Sequence, residues 1–127
     1  MVFSLAVVGS RSITDSETVE TVIGRSPWVS DSNIRPIDME LEVVSGGADG
    51  VDTAAQEWAE RQGFDTLVIE PDWDDWSDGH PALHRNTTII KQADAVIAVW
   101  DGHSDGTKDS IDKAIEHSKP LYVEIVD

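Results

Sequence analysis

The chain alternates short apolar runs with longer stretches of helical periodicity. Phe3–Val8, Leu41–Val44, Thr66–Glu70, Ala95–Val99 and Leu121–Ile125 are of strand length and rich in β-branched residues. Four helices are predicted between them. Thr14-Asp15-Ser16-Glu17 has the form of a capping box and opens a helix that runs to Gly24. A second helix follows Gly50 and stops at Gly63. A third covers Pro81 to Ala93, with Pro81 tolerated in its first turn. The fourth covers Thr107 to His117. Residues 26–40 are polar, carry two prolines, and read as a loop with a short helical turn. Residues 71–79 read as a long connection.

Apolar strands separated by helices predict a parallel sheet covered on both faces. The expected fold class is therefore α/β, a three-layer α/β/α domain with a five-stranded parallel sheet. Neither a repeat nor a linker divides the chain, so a single domain over residues 1–127 is expected. In such sheets ligands bind beyond the carboxyl ends of the strands, where the strand order reverses. Three glycine-bearing loops sit at strand ends: Gly9-Ser10-Arg11-Ser12, Ser45 to Gly50, and Asp101 to Thr107. They converge if the first and fourth strands are neighbours.

Each loop has a chemical and a structural interpretation. In Ser45-Gly46-Gly47-Ala48-Asp49-Gly50-Val51-Asp52, successive N–H groups and a helix N-terminus suit a phosphate. The run matches neither GxGxxG nor GxxxxGK[ST]. A tight turn capped by Asp49 or Asp52 is the structural alternative. Arg11 is placed to clamp a phosphate or carboxylate, or else to pair with one of many surface acids. Gly106 and Thr107 stand where a helix begins and offer N–H groups to a second anion. The alternative there is a turn capped by Asp105 or Thr107.

His80 and His84 have i, i+4 spacing, near Asp72, Asp74, Asp75 and Asp78. Pro81 pushes His80 out of the helical region, so the two rings do not share a helical face and no metal site is predicted. Trp58 falls on the buried face of a helix. Trp73 and Trp76 lie in a loop, where closing the core is the favoured expectation and stacking on a nucleobase the alternative.

Charge narrows the choice of partner. The chain has 127 residues, with 25 acidic side chains against nine lysines and arginines, a formal net charge of −16. Four lysines are present: Lys91, Lys108, Lys113 and Lys119. Such a surface suits high salt. It argues against a sequence-independent grip on DNA, which needs a basic stripe, so nucleic acid is expected not to be a partner. The absence of cysteine and of a long apolar span fits a cytoplasmic chain without membrane contact.

These motifs, in this order, resemble the SLOG superfamily of Rossmann-like domains. That group includes the Lonely Guy phosphoribohydrolases, the DNA-processing protein DprA/Smf, and the YspA/YpsA-like proteins, the last being the most similar. The residues that carry the resemblance are Gly9-Ser10-Arg11, Ser45 to Asp52, Arg85-Asn86, Trp100-Asp101-Gly102 and Gly106-Thr107. The resemblance implies a pocket for a nucleotide or a nucleotide-derived ligand. Gly46, Gly47, Gly106 and Thr107 would line its phosphate side, and Arg11 and Arg85 would be the positive contacts. Asp49 or Asp52 would take a ribose hydroxyl. Lonely Guy enzymes carry PGGxGTxxE with a catalytic glutamate. Here His103 replaces one glycine of the pair and Ser110 stands at the glutamate position.

The expected function is thus binding or sensing of a nucleotide-like small molecule, in a chain of phage, mobile-element or haloarchaeal origin. The expected ligand contacts are Gly9, Ser10, Arg11, Ser45, Gly46, Gly47, Asp49, Gly50, Asp52, Arg85, Asn86, Gly102, Gly106 and Thr107. No cofactor is assigned, although Mg²⁺ is compatible with a phosphate ligand. Folds of this kind pair through helices, so a homo-oligomer is allowed for. The first alternative is a nucleoside-monophosphate phosphoribohydrolase cleaving an N-glycosidic bond, with Asp52 or Asp109 as catalytic candidates. The second is a DprA-like accessory to nucleic-acid processing.

Overall fold

A computed structural model describes residues 2–30, 40–76 and 79–126. The predicted loop at positions 31–39 and Asp78 lie outside these. The elements in chain order are β1 (Val2–Gly9), α1 (Ser16–Arg25), α2 (Pro27–Ser30), β2 (Glu40–Ser45), α3 (Val51–Gln62), β3 (Asp65–Val68), α4 (Pro81–Gln92), β4 (Ala95–Trp100), α5 (Asp105–Glu116) and β5 (Leu121–Ile125). All five strands pair in parallel, in the order β3-β2-β1-β4-β5. This is the three-layer Rossmann-like architecture that the alternation of runs predicts. Among the described residues no helix is long and apolar enough to cross a membrane.

The period-2 alternation of a strand explains the two cores. Leu5 and Val7 of β1, with Leu41, Val43, Ala95, Ile97 and Val99, face α1, α2 and α3, which contribute Val19, Ile23, Trp28, Val51, Ala55 and Trp58. Ala6, Val8, Val44, Val96 and Ala98 face the other way, onto Ile89, Ile90 and Ala93 at and just beyond the end of α4, and Ala114 of α5. Central strands that bury both faces must be apolar throughout, which is why β1 and β4 read as continuous hydrophobic runs.

The chain winds from β1 through β2 to β3, then returns to place β4 on the other side of β1. The order therefore reverses between β1 and β4, and the loops that follow these two strands meet.

Local boundaries differ from expectation in ways that capping explains. Asp15, not Thr14, caps α1: its carboxylate accepts from the Glu17 N–H at 3.2 Å and from the Thr18 hydroxyl at 2.8 Å. α5 starts at Asp105, two residues before Thr107, with Ser104 in the N-cap position.

Trp73 and Trp76 do not close the core; they are 56% and 59% exposed. The loop satisfies itself instead. Trp76 Nε1 donates to the Trp73 carbonyl at 2.9 Å, and Asp72 accepts from the Asp74 N–H at 3.1 Å. Trp58 is buried, as its helical face requires.

Gly50 holds the β2–α3 loop against the β1 loop. Its φ is 78°, and an added Cβ would meet the Arg11 carbonyl oxygen at 2.6 Å. Gly50→Ala is expected to lower stability by about 2 kcal/mol or more, since backbone strain and collision add. Urea unfolding of the variant measures this, and an unchanged midpoint would contradict it.

Candidate functional site

The loops after β1 and β4 and the starts of α3, α4 and α5 enclose a cavity of about 400 Å³ at the C-terminal edge of the sheet. That size lies within the range of small-molecule sites. The fold thus offers a place for a ligand or nucleic acid at the sheet edge.

Asp101, at the end of β4, organises one wall. Its carboxylate accepts from the N–H groups of His103 and Ser104, each at 2.8 Å, and from the hydroxyls of Ser12 and Ser104, each at 2.9 Å. Its own N–H donates to Ser10 Oγ at 3.0 Å. The backbone donors at His103 and Ser104 hold this carboxyl well below the usual carboxylate range. Because the Ser104 hydroxyl is turned to Asp101, no side chain caps α5. The first intrahelical bond runs from the Lys108 N–H to the Ser104 carbonyl at 3.1 Å. The N–H groups of Asp105, Gly106 and Thr107 precede it, and Gly106 and Thr107 line the cavity. An uncapped helix start carries partial positive charge and attracts anions.

Two arginines border the same space. Arg11 is exposed and forms no hydrogen bond or ion pair among the described residues. Arg85 is half-buried on α4. It donates through Nη1 to the Gly46 carbonyl at 2.6 Å and through Nε to Asn86 Oδ1 at 3.1 Å. Burial lowers the Arg85 guanidinium from its ordinary value, while the Asp52 carboxylate opposes that shift.

Asp52, in the first turn of α3, is 7% exposed and lines the cavity. Burial pushes its carboxyl up to about 6, against the opposing pull of the Ala48 N–H and Arg85. Its Oδ2 accepts from the Ala48 N–H at 3.2 Å. Asp52 therefore exchanges a proton near neutral pH, inside the wall of the cavity.

The cavity brings together Gly9, Ser10, Arg11, Asp52, Arg85, Asn86, Gly106 and Thr107. It does not reach Ser45, Gly46, Gly47, Asp49, Gly50 or Gly102. Arg85 explains part of this division: its guanidinium lies over Gly46, where an added Cβ would meet Nη1 at 2.6 Å. The glycine here makes room for a side chain of the chain itself. Asp109 lies outside the lining, and its Oδ2 accepts from Asn86 Nδ2 at 3.1 Å and from Lys113 Nζ at 2.9 Å. Ser12, Ala48, Leu83, Asp101, Ser104 and Ser110 also line the cavity but were not among the expected ligand contacts, although the three loops include Ser12, Ala48, Asp101 and Ser104. For Asp101, its place directly at a strand end was the available signal. Among the described residues no group of three or more His, Cys, Asp or Glu side chains is arranged to hold a metal ion.

Residues 3–76 match the model of the YAcAr family, described as the YspA, cpYpsA-related SLOG family. No curated protein matches the chain. Two solved structures share the fold. One is DNA processing protein A from Streptococcus pneumoniae, with a TM-score of 0.72 and 23% identity over 99% of this chain and 52% of that one. The other is DNA processing protein A from Helicobacter pylori, with a TM-score of 0.66 and 23% identity over 95% of this chain and 64% of that one. The present chain thus spans between half and two thirds of their length.

The Helicobacter pylori protein is described by its single-stranded DNA binding mode. The expectation that excluded nucleic acid as a partner is therefore corrected. It rested on a formal charge of −16 summed over the whole chain. That sum does not describe the local field where Arg11, Arg85 and the start of α5 meet.

The raised Asp52 carboxyl gives a prediction with a definite sign. Its folded value of about 6 lies above the ordinary 3.8, so the folded state binds the proton more tightly. This contribution is fully present below pH 3.8 and is lost as pH rises through 6. Asp52→Asn removes the loss. Its stability relative to wild type should improve by about 2–3 kcal/mol between pH 4 and pH 8. Parallel urea unfolding curves at the two pH values measure the difference, and identical pH dependence would contradict it.

Proposed function

The chain belongs to the YspA, cpYpsA-related SLOG family, and on that premise we propose that its sheet-edge cavity binds the phosphate of a nucleotide unit. The uncapped start of α5 is the observation that carries this reading. It borders a cavity that Arg11 also lines, a cation whose charge acts on Asp52 but which forms no hydrogen bond or ion pair among the described residues. In the proposed complex Gly106 and Thr107 donate their N–H groups to phosphate oxygens. Arg11 and Arg85 supply positive charge, and Ser10 and Asn86 offer polar contacts. The nucleotide is free or is one unit of a single strand. The shared fold with DNA processing proteins supports the strand, and with it a role as an accessory to nucleic-acid processing.

A second reading rests on Asp52. A carboxyl that titrates at about 6 in a cavity wall suits general acid–base work near neutral pH. Cleavage of an N-glycosidic bond would use it as the acid. Release of free base from nucleoside monophosphates, abolished in Asp52→Asn, would establish this activity. No release at any pH between 5 and 8 would dismiss it.

Isothermal titration with ribose 5-phosphate tests the main reading. Arg11→Ala should weaken binding roughly 10- to 100-fold, the worth of a charge-assisted contact, without a change in unfolding midpoint. Equal affinity in the variant would contradict the assignment. For a single-stranded oligonucleotide held by two arginines, the logarithm of affinity should fall against the logarithm of salt with a slope of about −1.4. A slope several times steeper would point to a basic surface elsewhere on the chain.

A further inference from the structure

Loops usually turn large aromatic rings inward, because each exposed ring forgoes its burial. Here two indoles meet the same histidine ring, each more than half exposed. Their positions are set by contacts around them. Trp73 and Trp76 both meet His80 edge-on, with ring centroids 5.9 and 5.0 Å away. His80 in turn caps α4: its Nδ1 accepts from the Ala82 N–H at 3.1 Å. The indoles are thus fixed to the start of the helix that carries Arg85.

The step from His80 to Arg85 along α4 is about 7.5 Å, a span one nucleotide can bridge. A hollow of about 230 Å³ borders both this helix and the loop that carries the indoles, lined by Glu70, Asp72, Asp75, Pro81, His84 and Arg85 among others. Arg85 also lines the main cavity, so the two spaces lie on either side of one guanidinium. His84 Nε2 is buried with no hydrogen-bond partner, an unmet polar atom next to this hollow.

We propose that Trp73 and Trp76 form a stacking platform for the base of the nucleotide whose phosphate occupies the main cavity; this rests on the phosphate reading above. Indole faces bind any base by stacking, with cation–π support from a neighbouring arginine. The aspartates in the platform loop repel phosphate, which sets the polarity of the ligand. Its base lies toward the loop, and its phosphate toward Arg11 and α5. The same carboxylates accept hydrogen bonds from exocyclic amines, so adenine, cytosine and guanine are favoured over uracil and thymine. Stacking also lets a strongly acidic chain hold a nucleotide with few ionic contacts.

The test compares AMP with ribose 5-phosphate, which lacks the base, by isothermal titration. Wild type should bind AMP about tenfold or more tightly than ribose 5-phosphate. Trp73→Ala/Trp76→Ala should lose that margin and keep the affinity for ribose 5-phosphate. Trp73→Phe, which retains an aromatic face, should keep most of it. If wild type binds both probes equally, the platform is overturned and the phosphate reading stands. If the double variant loses both probes alike, the loop is structural and the platform is again overturned. If neither probe binds wild type, both readings fall. A 5′-phosphorylated oligodeoxyadenylate separates the sources: tighter binding than AMP assigns the base to a strand, and equal binding assigns it to a free nucleotide.

Discussion

The Asp101 carboxylate is the knot on which the C-terminal edge of the sheet depends. It gathers two backbone N–H groups and two serine hydroxyls, and it joins the loop after β1 to the start of α5. One consequence is mechanical: Ser12 is tied across the seam between β1 and β4. The other is electrostatic. Ser104 is drawn toward Asp101, so α5 begins without a side-chain cap, and its first turn borders the cavity through Gly106 and Thr107. A capped α5 would leave the same fold with a cavity far less suited to an anion.

The opposite wall obeys a similar economy of charge. Asp52 is buried beneath Arg85, and desolvation outweighs the attraction between them, so the carboxyl is half-protonated near pH 6. Arg85 spends two of its donors on Gly46 and Asn86 and still borders both hollows. Arg11, across the mouth, spends none. The site therefore combines one guanidinium built into the scaffold with one that forms no hydrogen bond among the described residues. Under the proposed reading, that asymmetry would let an acidic chain hold an anion without a basic surface.

Much of the fold was legible because strands buried on both faces must be apolar throughout. β5 falls on Leu121–Ile125 as its hydrophobic run indicates, and α3 stops at Gly63, whose φ of 79° ends the helix. The start of α5 was less legible, since Ser104, Asp105 and Thr107 are all good caps and only the partner of Ser104 decides among them. Glycines were ambiguous for the same reason. Gly46 makes room for Arg85, Gly50 for the Arg11 backbone, and Gly106 has open space around it. A sequence records that a side chain is absent, not what fills its place. Trp73 and Trp76 misled because the Trp76 N–H is satisfied at the Trp73 carbonyl, within the loop itself, a closure that no periodicity reports. Net charge misled about partners because it sums over surfaces that a ligand never meets.

Backbone amide NMR on titration with ribose 5-phosphate distinguishes which N–H groups receive the phosphate. The amide signals of Gly106 and Thr107 should shift strongly, and those of Gly46 and Gly47 should move little. Strong shifts at Gly46 and Gly47 with α5 unmoved would contradict this and return the anion to the β2–α3 turn.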